Sequence, residues 1–453
     1  MAKKVVLAYS GGLDTSVAIR WLNEHYGVDV ITLTIDVGNE KDFAAVKKKA
    51  VAVGAIKAIV IDAKEMFVKY FIFPAIQANA LYEGVYPLAT ALSRPLMAKL
   101  LVDTALEEHA TMVAHGCTGK GNDQVRFDVG VHALAPQLKV LAPAREWKMT
   151  REQTMEYAAQ HGIPIPVTVR SPYSIDENLW GKSIECGILE DPWVEPPEDV
   201  WTWTKSPAKA PNKPAYVEIG FEQGVPVSLD GEELDGETLI RRVNEIAGEH
   251  GIGRIDHVEN RLVGIKSREL YEAPAATVII QAHQALEAMT LTKDQLRFKA
   301  KTAIEIADLI YNGLWFSGLN RDLSAYVQSS QRYVTGKVRM KLYKGHVQVA
   351  GRQSPKSLYN LSLATYDKGD QFDQSAAVGF IQLWGLPVTV QAQAQLLGDA
   401  EGPLGLLGTG ESKEPKKKAK KEQPQGSAEG RSHSARGLGV SPNSKQVPQD
   451  WGI

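Results

Sequence analysis

The feature that most constrains this chain is a seven-residue turn, Ser10-Gly11-Gly12-Leu13-Asp14-Thr15-Ser16, between the apolar run Val5–Tyr9 and an amphipathic stretch, Thr15–His25. A short β-branched run followed at once by helical periodicity reads as strand, turn and helix, the opening of a βαβ unit. Two glycines allow a tight turn and let backbone N–H groups approach a ligand. The hydroxyls of Ser10, Thr15 and Ser16 add donors, and the start of the helix adds partial positive charge. Beyond the carboxyl end of a strand, such a loop suits a phosphate or pyrophosphate. A plain glycine turn capped by Asp14 or Thr15 is the competing reading. The loop does not end in Gly-Lys-Ser/Thr and does not spell GxGxxG, so it is neither a P-loop nor a dinucleotide fingerprint.

The alternation continues. Val30–Ile35, Ala58–Ile61, Thr111–Ala114 and Lys139–Leu141 read as further buried strands. The stretches Asp42–Val53, Lys64–Asn79 and Arg94–His109 read as helices, and a last one starts at Thr150 with a capping box to Gln153. Residues 1–165 are therefore expected to form a doubly wound parallel sheet, a nucleotide-binding α/β domain. After Pro164-Ile165-Pro166 the pattern changes. Ser171–Pro214 reads as long loops in which Trp180, Trp193, Trp201 and Trp203 serve as anchors. Tyr216–Leu229 and a hairpin at Lys344-Gly345 read as antiparallel strands, with helices over Leu239–His250, Pro274–Met289 and Lys293–Leu314. Residues 166–397 form an α+β second domain on this reading. The stretch 398–453, with six lysines between Lys413 and Lys421, has too little apolar content to order itself and is expected to be disordered.

A second cluster, His115-Gly116-Cys117-Thr118-Gly119-Lys120-Gly121-Asn122-Asp123-Gln124-Val125-Arg126-Phe127, also follows a strand and reads as a flexible glycine-rich turn. Arg126 offers a fork for a carboxylate, Asp123 suits an α-ammonium, and Thr118 suits a second carboxylate. These are the handles of amino-acid ligands; an ordinary polar surface loop is the alternative. His115 reads as structural. Cys117 and Cys186 are the only cysteines, which gives no disulfide framework and no paired-thiol chemistry. The net charge of −2 offers no basic field for nucleic acid. The N-terminal apolar run before Ser10, about five residues, falls short of the ~7–15 of a signal-peptide core, and no apolar run nears the ~20 residues of a membrane span, so a cytoplasmic setting is expected.

These motifs together resemble those of the argininosuccinate synthase family within the ATP pyrophosphatases. Besides SGGLDTS and the 115–127 cluster, the resemblance rests on Tyr82-Glu83-Gly84-Val85-Tyr86, His161–Val167, Ser174–Leu179, Gly253–Arg261 and Lys266-Ser267-Arg268, and it runs from Lys4 to Leu386. It implies ATP contacts from Ala8, Tyr9, Ser10, Gly11, Gly12, Leu13, Asp14, Thr15, Ser16, Ile35 and Gly116. It implies citrulline contacts from Tyr86, Asn122, Arg126, Ser174, Ser183, Glu259 and Tyr271, and aspartate contacts from Thr118, Asn122 and Asp123. The implied reaction is carbon–nitrogen ligation: ATP, with Mg2+ screening its charge, activates citrulline as citrullyl-AMP, and aspartate then displaces AMP. A cytoplasmic homotetramer is implied, without nucleic-acid or membrane partners. No residue identifies itself as a general base. One position departs from the family: Ala91 stands where a citrulline-contacting serine is usual, which predicts weaker citrulline binding by about one neutral hydrogen bond, ~0.5–1.5 kcal/mol. A different ATP pyrophosphatase and an inactive nucleotide sensor are the alternatives. The first lacks its reactive cysteines or basic face, and the second is opposed by the intact motifs.

Overall fold

A computed structural model of the chain describes residues 3–39, 42–164 and 172–396. The expected tail, 398–453, and the proline-rich junction from Ile165 to Ser171 lie outside the described residues. By packing, the described residues up to Asp370 form one compact unit and those from Gln371 belong to a second.

The first half runs β1 (Lys4–Ala8), α1 (Leu13–Tyr26), β2 (Asp29–Asp36), α2 (Phe43–Val53) and β3 (Lys57–Asp62). Then α3 (Lys64–Phe67), a π-helical turn over Val68–Ile72 and α4 (Phe73–Ala78) follow end to end. After these come α5 (Ala89–Glu107), β4 (Met112–Ala114), α6 (Asp123–Leu134), β5 (Lys139–Leu141), α7 (Pro143–Glu146) and α8 (Arg151–Gln160). The five strands pair in parallel in the order β3-β2-β1-β4-β5. Alternation decides which face each side chain covers. Val5, Leu7 and Val30 join the core under α1, while Val6, Ile31 and Leu33 join the core on the other side. Both faces are buried, as a doubly wound sheet requires. The strand order reverses between β1 and β4, and the crevice at their carboxyl ends is where such sheets bind ligands.

The expected strands and most helices are present, and Thr150 and Gln153 form the capping box in both directions. Two readings need correction. The 115–127 cluster is only partly a turn: from Asp123 it is α6, so Asp123 and Arg126 sit one helical turn apart and not on a flexible loop. Helix α5 begins five residues before Arg94, because Pro95, in its second turn, is tolerated inside the helix.

The remaining elements are β6 (Ser174–Asn178), β7 (Gly181–Glu185), β8 (Ala215–Glu222), β9 (Val225–Leu229), β10 (Glu232–Glu233), α9 (Gly236–Glu249), β11 (Arg254–Asn260) and β12 (Lys266–Glu272). They continue through α10 (Pro274–Thr290), α11 (Lys293–Tyr311), α12 (Gly318–Gln331), β13 (Gly336–Tyr343), β14 (His346–Gln353) and α13 (Leu361–Ala364). In the second unit, α14 spans Ala376–Gln391. Two antiparallel sheets result, β10-β9-β8-β13-β14 and β11-β12-β7-β6. The β13–β14 hairpin turns at Lys344 and Gly345, both at positive φ, as expected. Ser171–Pro214 is not all loop, since β6 and β7 form a hairpin within it. Trp180 anchors that hairpin, fully buried with its indole N–H donating to Pro87 O at 3.0 Å, whereas Trp193 is 94% exposed and anchors nothing.

One apolar core runs from the parallel sheet to β8, β13, α9 and α10. Within it α4, α10, α11 and α12 are tied by a buried polar knot. Glu287 accepts from Asn79 Nδ2 at 2.6 Å and Gln331 Nε2 at 2.7 Å, and Lys299 Nζ lies 2.9 Å away as an ion pair. Lys299 and Glu287 are each about 2% exposed. Removing one partner from a buried pair strands the other charge, at about 3–5 kcal/mol. Lys299→Met should therefore lower the stability read from urea unfolding by about 3 kcal/mol. Ile304→Ala, on the exposed side of the same helix, should stay within ~0.5 kcal/mol.

Candidate functional site

At the switch point, Gly11 takes φ +80°, and α1 starts at Leu13 with no side-chain cap, so its first N–H groups remain available. The loop is braced from within. Ser16 Oγ donates to Gly12 O at 2.7 Å, Ser10 and Thr15 hydroxyls meet at 3.1 Å, and Lys49 Nζ donates to Gly11 O at 2.9 Å. Ser16 is fully buried and its hydroxyl also meets Tyr9 Oη at 3.0 Å.

A cavity opens beside this loop. Of the residues assigned to ATP from sequence, Ala8, Tyr9, Ser10, Thr15, Ile35 and Gly116 line it. Gly11, Gly12, Leu13, Asp14 and Ser16 do not; they form the turn and its bracing. Leu33, Val37, Met97 and Phe127 supply an apolar wall that the sequence reading did not include. Asn39 adds a buried side-chain oxygen without a hydrogen-bond partner. Gly116 approaches the loop so closely that a Cβ there would stand 2.7 Å from Thr15 Cγ2.

A second cavity adjoins the first, with Cys117 and Asp176 in the walls of both. Every residue assigned to the amino acids lines it: Thr118, Asn122, Asp123 and Arg126 from the β4–α6 segment, Tyr86, and Ser174, Ser183, Glu259 and Tyr271 from the four-stranded sheet. The sheet explains their convergence. Asp176 pairs with Ser183, Ser183 with Tyr271, and Glu259 with Ser267, so alternate residues of four strands share one face. Ile184 and Leu270 point the opposite way, into a small apolar cluster. Ala91 is fully buried in the core and lines neither cavity, while Thr90 lines the second. The expected loss of a ligand hydroxyl at position 91 is thus not visible as a gap in the cavity wall.

Arg94, which the sequence reading did not single out, joins the two cavities. Its Nη2 donates to Asp123 Oδ2 at 2.7 Å and Asp176 Oδ2 at 2.5 Å. Burial opposes its charge, yet the two carboxylates hold its pKa above the ordinary value. Asp123 is pulled upward by burial but held below the usual carboxylate range by Arg94 and Arg126. Arg126 Nη1 donates to Asp123 Oδ1 at 2.9 Å, and its Nη2 is buried without a partner. Glu259, 2% exposed, accepts from Tyr271 Oη and Tyr311 Oη, each at 2.5 Å.

The remaining candidates are structural. His115 accepts from Cys117 N at Nδ1, so Nε2 carries the proton and donates to Asp128 at 2.7 Å, pinning the loop. Burial pushes the Cys117 thiol up to about 12, which keeps it protonated. Among the described residues, no group of three or more His, Cys, Asp or Glu side chains is arranged to hold a metal. No described helix is long and apolar enough to cross a membrane.

A parallel sheet with a glycine loop at its switch point, opening into a charged cavity between α6 and an antiparallel sheet, defines a nucleotide-binding α/β protein with an attached polar ligand site. The family model described as the arginosuccinate synthase N-terminal HUP domain matches residues 4–164, and that of the arginosuccinate synthase C-terminal domain matches residues 173–391. The chain is similar to the argininosuccinate synthase of Dehalococcoides mccartyi, at 65% identity over 88% of this chain and 99% of the relative. It is also similar to those of Oceanobacillus iheyensis (59%; 86% and 94% covered) and Symbiobacterium thermophilum (59%; 87% and 98%). The chain belongs to the argininosuccinate synthase family.

The second cavity holds one further group with a testable titration. Arg261 donates to both Glu185 and Glu269. Burial first, then the charge of Glu185, raises the Glu269 pKa to about 8 against the pull of Arg261. A raised folded-state pKa means that the folded chain holds the extra proton, so stability falls as pH rises from roughly 4 toward 8. Glu269→Gln should flatten that decline in denaturant midpoints measured across the range. It should also remove a carboxyl resonance titrating near 8 in the NMR spectrum of carboxyl-labelled glutamate.

Proposed function

We propose that this chain ligates citrulline to aspartate with ATP as the driving substrate, forming argininosuccinate in arginine biosynthesis. The observation that carries the reading is the shared wall of the two cavities, which brings a phosphate loop and a set of amino-acid handles within reach of one another. ATP binds with its β,γ-pyrophosphate on the Ser10–Ser16 loop and its base along Ile35, where the unpartnered Asn39 oxygen can accept an N–H. The N–H groups at the start of α1 and the hydroxyls of Ser10 and Thr15 take negative oxygens. Citrulline lies in the second cavity, its carboxylate on the free Nη2 of Arg126 and its amine toward Glu259. Its ureido oxygen is thereby directed past Cys117 to the α-phosphorus. Attack there releases pyrophosphate and gives citrullyl-AMP. The amine of aspartate, held by Thr118, Asn122 and Asp123, then attacks the activated carbon and expels AMP. The protein acts by orientation and fixed charge.

Magnesium belongs to the same reading as a companion of ATP. With no protein cage for it among the described residues, it fits as an ion held chiefly by phosphate oxygens, with Ser10 and Thr15 closest on the loop. It would screen the charge of the pyrophosphate as that group leaves. A cytoplasmic homotetramer completes the proposal. The apolar residues Phe380, Ile381, Leu383 and Trp384, exposed along α14 in the single chain, supply surface for such assembly.

Two experiments test the reading. With oxygen-18 in the ureido group of citrulline, the label should appear in AMP; label in pyrophosphate, or ADP as product, overturns the mechanism. Gly116→Ala crowds Thr15 on the loop side only, and overpacking of this kind costs about 1–3 kcal/mol. The KM for ATP should rise roughly tenfold or more while that for citrulline stays within about twofold.

A further inference from the structure

We infer that Tyr311, the last residue of α11, is a positioning residue of the amino-acid cavity that sets the directions in which Arg126, Asn122 and Glu259 meet citrulline. The inference rests on the proposed placement of citrulline in that cavity.

The helix end itself makes the first contact. The last carbonyls of a helix have no intrahelical partner, and here Tyr311 O accepts from Arg126 Nε at 2.9 Å. The approach is close because Gly313, at φ +75°, follows the helix; a Cβ there would stand 2.9 Å from Arg126 Cα. The guanidinium also lies over the Tyr311 ring, 4.9 Å from its centroid. With Nε on Tyr311 and Nη1 on Asp123, only Nη2 is left, buried and unpartnered. The fork is thus turned so that one nitrogen faces a ligand.

The hydroxyl fixes the other two side chains. Leu262 N donates to Asn122 Oδ1 at 2.9 Å, which turns the amide nitrogen toward Tyr311, and Nδ2 donates to Tyr311 Oη at 2.8 Å. A phenol that accepts on one side sends its own proton onward, and Glu259 Oε1 lies 2.5 Å away. Tyr271 caps Oε2 in the same manner. The donor direction therefore runs from backbone to amide, phenol and carboxylate without a choice at any step. It leaves Asn122 with one free N–H and Glu259 with its outer lone pairs, a donor for an oxygen and a braced anion for an ammonium. Tyr82, stacked on Tyr311 at 3.5 Å between centroids and 4° between planes, holds the ring in place.

The test is Tyr311→Phe in the full-length enzyme, compared with Glu259→Gln and the double variant. Phenylalanine keeps the ring, the stack and the carbonyl contact to Arg126 and removes only the hydroxyl. The citrulline KM should rise roughly tenfold or more, the range for loss of a hydrogen bond to a charged group. The ATP KM should stay within about twofold, and the added effect of Tyr311→Phe should largely vanish in the Glu259→Gln background. A citrulline KM within twofold of the parent, or fully additive effects, overturns the positioning role while leaving the cavity assignment intact. If Glu259→Gln itself leaves citrulline unaffected, the cavity assignment fails instead. Should Tyr311→Phe not fold, 4-fluorophenylalanine at position 311 fills the space of the hydroxyl but has no proton to donate to Glu259. Its citrulline KM should rise as for Tyr311→Phe, roughly tenfold or more; a KM within twofold of the parent overturns the proposal.

Discussion

The seam between the two cavities depends on how Arg94 shares its charge. It stands in α5, a helix of the parallel-sheet region, and binds Asp123 at the start of α6 and Asp176 on β6 of the antiparallel sheet. Without it Asp123 and Asp176 would lose the cation they share and repel each other across a partly exposed seam. With it, the seam carries alternating charges, Asp176, Arg94, Asp123 and Arg126, whose sum is zero. Glu259, outside this row of charges but in the wall of the same cavity, adds a buried negative site suited to an ammonium.

The four-stranded sheet shows how one protein can separate packing from chemistry within a single layer. Its hidden face carries Ile184 and Leu270 into an apolar cluster, and its other face carries Asp176, Ser183, Glu259 and Tyr271 into the cavity. The sheet is also held from behind. Glu272, fully buried, accepts from the backbone N–H groups of Thr202, Trp203 and Thr204. Anchoring of this kind lets polar side chains line a cavity without the sheet relaxing around them.

Legibility in the sequence followed the range of the interactions. The parallel sheet was readable because its strands are apolar and β-branched and its helices periodic, both properties of neighbouring residues. The phosphate loop was readable because its glycines and hydroxyls are contiguous. The β6–β7 hairpin was hidden because its alternation runs polar toward the cavity, so Ser174-Ile175-Asp176-Glu177-Asn178 resembles a loop when read alone. Asp123 and Arg126 were found, yet their helix was obscured by the glycines that precede it. Arg94 and Tyr311 had no local signal, since their partners lie 29 to 82 and 52 to 189 residues away. The amino-acid contacts that the family resemblance implied all line one cavity, whereas the ATP contacts it implied on the phosphate loop divide into residues that line the other cavity and residues that shape the turn.

The position of Tyr311 at the end of α11 has a consequence for how the protein is made. Chains emerge from the ribosome N-terminus first and fold as they lengthen. When β12 has emerged, all four strands of the cavity sheet and the whole phosphate loop have been synthesised. Arg126 and Glu259 nevertheless still lack the carbonyl and the hydroxyl that orient them, because those belong to a residue 40 positions further on, counting from Tyr271. The cavity residues up to Tyr271 are thus all synthesised before the residue that fixes the directions of three of the groups beside it, and because α11 shares the core of the parallel sheet, completing that core and orienting those side chains fall in the same step.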